Sequence, residues 1–197
     1  MVALLRAQIM KLVIQIPAWN EEEHLPDALA ALPREVEGFD EVEVLVVDDG
    51  SDDRTAEVAE EAGGTVVQMP VHRGLAVAFS TGLRACLERG ADVIVNTDAD
   101  GQYNAKDIPA LVRPILDGSA QMVIGDRKVA SLRHFSASKR LLQKLGSWVV
   151  RRLSGTTVAD ATSGYRAISR EAATRLHVFT RFTYTLETIL QAGEAGL

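Results

Sequence analysis

The sequence predicts an α/β domain in which a mostly parallel β-sheet is flanked by helices. Short runs of apolar, β-branched residues alternate with segments whose apolar residues recur at helical spacing. Such alternation is typical of β-α-β units, because a parallel strand needs a crossover connection to reach its neighbour. Polar residues directly follow several of the runs, and ligands of parallel sheets bind beyond the carboxyl ends of the strands. We therefore expect a binding site at that edge of the sheet.

The predicted elements follow one another in a regular order. The five predicted strands are apolar and comprise residues 10–16, 42–47, 65–69, 92–96 and 121–124. The four predicted helices lie between them and comprise residues 21–32, 54–62, 75–89 and 108–116. Pro33 ends the first helix, whereas Gly63 and Gly90 follow the second and third, as is typical of helix ends. A further helix-like run extends from Tyr184 to Ala192.

Composition favours one domain over residues 1–197. The chain is 47% apolar and 24% charged, which suits an ordinary globular domain. It has no run of 18 apolar residues and no apolar leader, so we predict a cytoplasmic protein. Cys86 is interpreted as a packing residue, and the four dispersed histidines lack zinc-ligand spacing. No closing strand follows the last predicted helix, so we expect the domain to be truncated at its C-terminus.

Charge is distributed unevenly along the chain. Residues 1–126 carry 9 basic and 23 acidic side chains, whereas residues 127–159 carry 8 basic and no acidic ones. The whole chain has a net charge of −6 and a pI near 5.3, which argues against nucleic acid as a partner. The basic segment instead predicts a local anionic partner.

That basic segment contains a predicted amphipathic helix within residues 131–153. Its apolar residues fall on one helical stripe and comprise Leu141, Leu142, Leu145, Trp148, Val149 and Leu153. Basic residues flank the stripe at Arg140, Lys144 and Arg151. A helix of this kind can lie in a membrane interface and hold lipid phosphate, which predicts a peripheral membrane protein. The alternative is a surface helix that packs on the core.

An acidic turn follows the predicted strand 92–96. Asp98 and Asp100 can converge on one divalent cation, and Gln102 adds a neutral oxygen ligand. Oxygen ligands of this type suit Mg²⁺ or Mn²⁺, which could neutralise a diphosphate leaving group. The alternative is an Asx-type turn with solvated carboxylates.

A second acidic turn follows the predicted strand 42–47. Asp48 and Asp49 stand where a dinucleotide site would have phosphate-binding glycines, and carboxylates there suit ribose hydroxyls or a base N–H. Asp52 or Asp53 is interpreted as the cap of the following helix. After the first strand, the run from Pro17 to Glu23 is also polar and acidic.

Taken together, these motifs resemble glycosyltransferase family 2, whose fold is the GT-A nucleotide-diphospho-sugar transferase fold. The matching segments are residues 16–22, 46–51, 73–78, 98–102 and 160–166. The resemblance covers about residues 11–187. Within the family, the chain looks most like dolichyl- or polyprenyl-phosphate mannosyl- or glucosyltransferases, which use GDP-mannose or UDP-glucose.

The resemblance implies a set of site residues. The implied nucleotide-sugar-binding residues are Pro17, Trp19, Glu21, Val47, Asp49, Asp98, Ala99, Asp100 and Arg127. The implied metal ligands are Asp98, Asp100 and Gln102, for Mg²⁺ or Mn²⁺. The residues expected to meet the acceptor phosphate or the membrane are Lys139, Arg140, Lys144 and Arg166. His72 stands where relatives commonly have Asn.

The predicted reaction is transfer of a hexose from a GDP- or UDP-sugar to polyprenyl or dolichyl phosphate, with inversion at the anomeric carbon. Catalysis is assigned to Asp100 and Arg127, with Asp160 and Glu187 as reserve bases should the acceptor be a sugar hydroxyl. Asp160 could instead brace its own loop through Thr162 or Ser163. Two other interpretations stay open at this point: a transferase that acts on a polysaccharide or glycolipid hydroxyl, and a non-catalytic nucleotide-binding fragment.

Overall fold

The computed structural model describes residues 9–126, 137–180 and 184–197 of the chain. Six strands form the sheet: β1 (Lys11–Ala18), β2 (Glu41–Asp48), β3 (Thr65–Gln68), β4 (Val93–Asn96), β5 (Met122–Ile124) and β6 (Arg166–Ser169). The helices are α1 (Leu25–Ala31), α2 (Thr55–Glu61), α3 (Leu75–Glu88), α4 (Ile108–Leu116), α5 (Ala137–Ser154), α6 (Arg170–Arg175) and α7 (Tyr184–Ala195). The predicted α/β class is confirmed, and each predicted strand and helix is present within a few residues of its expected bounds.

The sheet has the order β3-β2-β1-β4-β6-β5. Strand β1 pairs in parallel with both β2 and β4, and β2 pairs in parallel with β3. Strand β6 runs antiparallel between β4 and β5. The carboxyl ends of β1, β2 and β4 therefore meet at one edge of the sheet, where the polar motifs follow them.

Strand β6 and helix α6 are two elements that the sequence pattern did not predict. Strand β6 is only four residues long and begins with Arg166, yet all four residues are buried. A charged residue at the start of so short a run conceals the strand from a hydrophobicity pattern. Helix α6 follows directly, and the Ser169 side chain accepts the backbone N–H of Ala172 at its first turn.

The core lies on both faces of the sheet. Alternate residues of β1 point to opposite sides, so Ile14 packs with Leu29 of α1, whereas Val13 packs with Phe79 of α3. Such burial on both faces is typical of parallel strands covered by helices. Cys86 belongs to the α3 side and is fully buried, as predicted for a packing residue, and burial raises the pKa of its thiol to about 12.

None of the helices in the described part of the chain is long and apolar enough to cross a bilayer.

Candidate functional site

The loops after β1 and β2 are joined by hydrogen bonds. The backbone N–H of Asn20 donates to Ser51 Oγ at 2.9 Å, and the Asn20 side chain accepts the backbone N–H of Asp52 at 3.1 Å. The N–H of Glu21 donates to Thr55 Oγ1 at 2.8 Å. Asn20 adopts a left-handed backbone with a φ of 55°, which Asn tolerates better than most residues. These contacts fix the turn that follows β1 against the start of α2.

Asp53 contributes to the same junction. Its carboxylate accepts the backbone N–H of Thr55 at 2.9 Å and that of Glu22 at 3.2 Å. Burial acts to raise the pKa of Asp53, but the hydrogen bonds from Thr55 and Glu22 outweigh it and lower the pKa below 3.8. Asp53 thus satisfies a backbone donor at the first residue of α2, although the N-cap position predicted for Asp52 or Asp53 is occupied by Arg54.

Asp49 holds the segment that leads into α3. Its two carboxylate oxygens accept the backbone N–H groups of Arg73 at 2.9 Å and Gly74 at 2.7 Å, and His72 Nδ1 lies 3.0 Å from one of them. The Asp49 residue is 2% exposed. A Cβ on the adjacent Gly50 would lie 2.6 Å from the backbone nitrogen of His72, so glycine is required for this close approach of the two backbones.

A cavity of about 290 Å³ opens between these loops and β4. The Trp19 and His72 rings stack at one side with centroids 4.2 Å apart and an interplanar angle of 28°. The lining residues are Pro17, Ala18, Trp19, Glu21, Asp49, His72, Leu75, Ala78, Asp98, Ala99 and Asp100. This cavity brings together seven of the nine predicted nucleotide-sugar-binding residues: Pro17, Trp19, Glu21, Asp49, Asp98, Ala99 and Asp100.

The charge of the cavity is one-sided. Four of the described lining residues carry a carboxylate, and the described lining contains no Lys or Arg. An anionic diphosphate would be repelled by such a surface unless a cation stood between them.

Two of these carboxylates fit a divalent cation. Asp98 and Asp100 both reach the cavity, and Asp100 is exposed. In the described part of the chain, no group of three acidic, His or Cys side chains is placed to enclose a metal ion. Mg²⁺ is commonly held by one or two carboxylates together with substrate phosphates and water, and this donor set suits that mode. The arrangement therefore fits a cation that arrives with a diphosphate.

The predicted Asx-type turn is also present at this motif. Asp100 Oδ1 accepts the backbone N–H of Gln102 at 3.0 Å, and Gly101 between them has a φ of 68°. The turn occupies one oxygen of Asp100. The Gln102 side chain is exposed and is not among the residues that line the cavity, and its role as a metal ligand stays a prediction.

Val47 was predicted to contact the nucleotide sugar, but it lies beneath the loops. Its side chain is fully buried and packs with Met69 and Ala78. Helix α3 covers it so closely that a Cβ on Gly82 would lie 2.8 Å from Val47 Cγ2. Val47 therefore supports the floor under Asp49 and does not face the cavity.

The two reserve bases are both engaged in local hydrogen bonds. Asp160 is 4% exposed, and its Oδ1 accepts the Thr162 hydroxyl at 3.0 Å, which matches the loop-bracing alternative. The Glu187 carboxylate accepts the backbone N–H groups of Phe179 at 2.9 Å and Thr180 at 3.1 Å. Burial acts to raise the pKa of Glu187, but these hydrogen bonds outweigh it and lower the pKa below 4.5.

Arg166 corrects the predicted acceptor-phosphate group. It is fully buried, and its guanidinium donates to Thr188 Oγ1 at 2.6 Å and to the Ser163 carbonyl. A side chain enclosed in this way does not present its charge to a surface. The prediction failed because the sequence does not reveal that α7 covers β6 at this point.

Several predicted residues fall outside the described part of the chain. Arg127 lies there, as do the side chains of Lys139, Arg140 and Lys144.

Helix α5 presents apolar side chains to solvent along its described half. Trp148 is 55% exposed, Val149 40% and Leu153 71%. On its other side, Val150 packs with Ile189 of α7. The described members of the predicted stripe, Trp148, Val149 and Leu153, thus lie on a different face of the helix from Val150.

Sequence reasoning missed some residues of the cavity. Leu75 and Ala78 line it although neither was predicted to do so, and His72 stacks on Trp19. The motif at residues 73–78 could have indicated Leu75 and Ala78, because it contains both of these apolar residues.

Comparison with known proteins identifies the family. Residues 13–176 match the family model described as Glycosyl transferase family 2. The chain is 36% identical over 165 residues to undecaprenyl-phosphate mannosyltransferase of Micrococcus luteus, a match that covers 80% of this chain and 66% of the relative. It is 30% identical over 178 residues to UDP-N-acetylglucosamine–dolichyl-phosphate N-acetylglucosaminyltransferase of Methanococcus voltae, which covers 80% of this chain and 68% of the relative.

A solved structure shares the fold. Glucosyl-3-phosphoglycerate synthase from Mycobacterium tuberculosis, determined with Mn²⁺, uridine diphosphate and glucosyl-3-phosphoglycerate, superposes with a TM-score of 0.73 at 24% identity. The match covers 94% of this chain and 66% of that one. The present chain thus spans about two thirds of the length of these proteins. The comparisons confirm both the family and the GT-A fold expected from the motifs.

Proposed function

The chain belongs to the nucleotide-sugar-dependent glycosyltransferases of family 2, and we propose that it transfers a hexose from a nucleotide diphosphate sugar to a polyprenyl phosphate. The sugar leaves the nucleotide with inversion at its anomeric carbon, as an acceptor phosphate oxygen forms the new bond. Relatives named for different sugars share a polyprenyl-type phosphate in their names. The acceptor class is therefore the part of the proposal that they support most directly.

The observation that carries the donor assignment is the composition of the cavity. Trp19 and His72 offer flat ring surfaces, and Glu21 offers carboxylate oxygens that suit nucleoside hydroxyls or N–H groups. Asp49 supports this side of the cavity by holding Arg73 and Gly74. The absence of Lys and Arg from the described lining makes a bare diphosphate a poor ligand. A nucleotide that enters with a divalent cation resolves this conflict.

Asp98 and Asp100 would hold that cation, Mg²⁺ or Mn²⁺, which when bound supplies positive charge to the leaving diphosphate. The Asx-type turn at Gly101 presents Asp100 at the rim of the cavity. Arg127 stays a predicted contact of the donor phosphates.

A phosphate acceptor needs no strong base. The second pKa of a phosphate monoester is about 6, so its oxygens are already largely ionised at neutral pH. The hydrogen bonds at Asp160 and Glu187 occupy both candidate bases, which favours a phosphate acceptor over a sugar hydroxyl. The chain's contribution is then to position the two reactants and balance their charge.

A lipid acceptor requires access to a membrane surface. Trp148, Val149 and Leu153 of α5 form an exposed apolar strip, and they belong to the segment with eight basic and no acidic residues. We place the membrane contact there, with Lys139, Arg140 and Lys144 as proposed phosphate partners. We therefore propose a peripheral protein on the cytoplasmic face of a membrane.

A transfer assay tests the proposal. Labelled GDP-mannose, UDP-glucose and UDP-N-acetylglucosamine would each be incubated with polyprenyl phosphate in detergent, with Mn²⁺, with Mg²⁺ or with chelator. We expect label in the lipid phase with one donor and only with metal. Asp100→Ala should abolish transfer, whereas Asp107→Asn, which alters an exposed carboxylate at the start of α4, should leave it unchanged.

The alternatives predict different products. Transfer to a sugar acceptor with none to polyprenyl phosphate would establish the polysaccharide or glycolipid interpretation. Nucleotide binding without any transfer would establish the non-catalytic interpretation.

A further inference from the structure

The segment Ser163–Arg166 lies directly behind Asp98. A Cβ built on Gly164 would lie 3.1 Å and 3.5 Å from the two carboxylate oxygens of Asp98, and 3.0 Å from the hydroxyl of Tyr184. The backbone φ of Gly164 is not in the left-handed region, so its conformation does not require glycine. The reason for glycine here is the limited space for a side chain. A methyl group at this position would require the Asp98 carboxylate or the Tyr184 hydroxyl to move by a few tenths of an ångström.

Buried polar groups hold Gly164 on both sides. Asn96 Nδ2 donates to the Gly164 carbonyl at 2.8 Å, and the Gly164 N–H donates to Tyr103 Oη at 3.1 Å. Asn96 is in turn fixed by Gln15, whose Nε2 donates to Asn96 Oδ1 at 2.8 Å. Gln15 and Asn96 are both fully buried. Such a connected network has little freedom to shift, because each broken bond would leave a buried polar atom unpaired.

Arg166 extends this network to the last helix. Its guanidinium bonds Thr188 Oγ1 on α7 and the Ser163 carbonyl, and it lies over the Tyr184 ring at 5.3 Å. The fully buried Arg166 therefore ties α7 to the peptide that precedes Gly164. A charged side chain this deep is costly to bury, which indicates that its hydrogen bonds serve a specific geometry.

We propose that Gly164 and Arg166 are positioning residues of the metal site: they set the place of the Asp98 carboxylate from behind and connect it to α7. The inference rests on the proposed function, since it assigns a purpose to the geometry of Asp98 as a ligand. It adds two residues that do not themselves line the cavity.

The test replaces Gly164 with Ala and measures metal dependence. The affinity of UDP and of GDP would be determined by calorimetry with Mn²⁺ and with chelator, and Mn²⁺ binding would be followed by its paramagnetic resonance signal. We expect Gly164→Ala to weaken nucleotide binding in the presence of Mn²⁺ about tenfold or more, with any weak binding in chelator unchanged. Gly146→Ala is the matched control, because Gly146 lies exposed on α5 with no heavy atom within 4 Å of its Cβ position.

Two further variants keep the test decisive. Gly164→Ala combined with Tyr184→Phe removes the nearby hydroxyl, so that only Asp98 has to move, and it should retain the loss. Tyr103→Phe deletes one hydrogen bond to Gly164 but keeps the ring that stacks on Tyr165, and it should weaken nucleotide binding in the presence of Mn²⁺ several-fold even if Gly164→Ala does not fold.

The outcomes separate the inference from the function on which it rests. A wild-type protein that binds no nucleotide in a Mn²⁺-dependent way would overturn the metal site, and the inference with it. Wild-type metal dependence that persists in folded Gly164→Ala, or in Tyr103→Phe if the former does not fold, would overturn the inference alone.

Discussion

At the scale of single residues, the carboxylates that follow the strands have distinct environments. Asp49 is nearly fully buried, and its oxygens accept the backbone N–H groups of Arg73 and Gly74, which lead into α3. Asp100 is exposed and has one oxygen in a local turn. Asp48 is buried, with one oxygen bound to Ser51 and the other without a hydrogen-bond partner. Only Asp100 and the half-buried Asp98 therefore combine access with a position suited to metal.

Glu187 provides a prediction at this scale. Its folded-state pKa is lowered below 4.5, against the effect of burial, by the hydrogen bonds from Phe179 and Thr180. A group with a lowered pKa contributes stability that is fully present above its unfolded pKa and is lost as pH falls through the folded value. The melting-temperature difference between wild type and Glu187→Gln should therefore be constant above about pH 5 and shrink towards about pH 3.

Thermal unfolding across that pH range checks this expectation. Glu194→Gln is the control, since Glu194 is an exposed carboxylate on the same helix. A difference between wild type and Glu187→Gln that grew on acidification would contradict the assignment.

Residue types and spacing were sufficient to predict most of the cavity, because polar residues after buried strands converge at one edge of a parallel sheet. They were insufficient for Val47 and Arg166. Val47 is near the end of β2, and Asp49 follows the strand. Helix α3 covers Val47, whereas Asp49 lines the cavity, and this difference depends on tertiary packing that the local sequence does not reveal. Arg166 is buried by α7, a contact that joins residues 22 positions apart.

At the scale of elements, the contact between α5 and α7 depends on one glycine. A Cβ on Gly193 would lie 2.0 Å from the Ser154 carbonyl oxygen, a backbone atom that cannot rotate away. We expect Gly193→Ala to lower the free energy of unfolding by about 1–3 kcal/mol, as is typical of overpacking. Gly146→Ala on α5 should be neutral or slightly stabilising, because its Cβ meets nothing and alanine favours helix.

Chemical denaturation of the two alanine variants measures this difference. If Gly193→Ala were as stable as Gly146→Ala, the close approach of α5 and α7 would be wrong.

The exposed face of α5 gives a second prediction for an element. Replacing Trp148 and Leu153 together by Asp places two charges on the apolar strip, which is exposed and makes little contribution to the core. Binding to vesicles that contain anionic lipid should fall about tenfold or more, since both the apolar contact and the attraction of the basic segment are weakened. Nucleotide binding should not change.

Co-sedimentation with such vesicles measures this effect. Ile9→Asp is the matched control, because Ile9 is 66% exposed but precedes β1, at the edge of the sheet opposite the cavity. Equal vesicle binding by the α5 double variant and the wild type would contradict the membrane role of this helix.

Elements differ in how far the sequence predicted them. The long apolar runs of β1 and β2 and the glycine-ended helix α3 follow from local pattern, because their signals lie within the element. Strand β6 has no such local signal, because it is short and begins with an arginine. It forms through its pairing with β4 and β5 on either side. Helix α1 begins at Leu25 and not at residue 21, because Glu21 takes part in the junction with α2.

At the scale of the whole molecule, charge is divided between two tasks. The acidic residues 1–126 supply the carboxylates of the cavity, and the basic residues 127–159 include the exposed strip of α5. In the proposed function, a cation-dependent donor site and an acceptor surface that attracts anions belong to separate parts of one chain. This division would explain how a protein that is acidic overall could bind a lipid phosphate.

The central claim is that the cavity binds a nucleotide only together with a divalent cation. The most direct measurement is the thermal unfolding of the 197-residue chain with GDP, UDP and their sugar conjugates, each with Mn²⁺, Mg²⁺ or chelator. At about 100 times its dissociation constant, a ligand specific to the folded state adds about 2.7 kcal/mol, a shift on the order of 5–10 °C for a domain of this size. We predict such a shift for one nucleotide class with metal and none with chelator. An equal shift in chelator, or no shift with any nucleotide, would contradict the account.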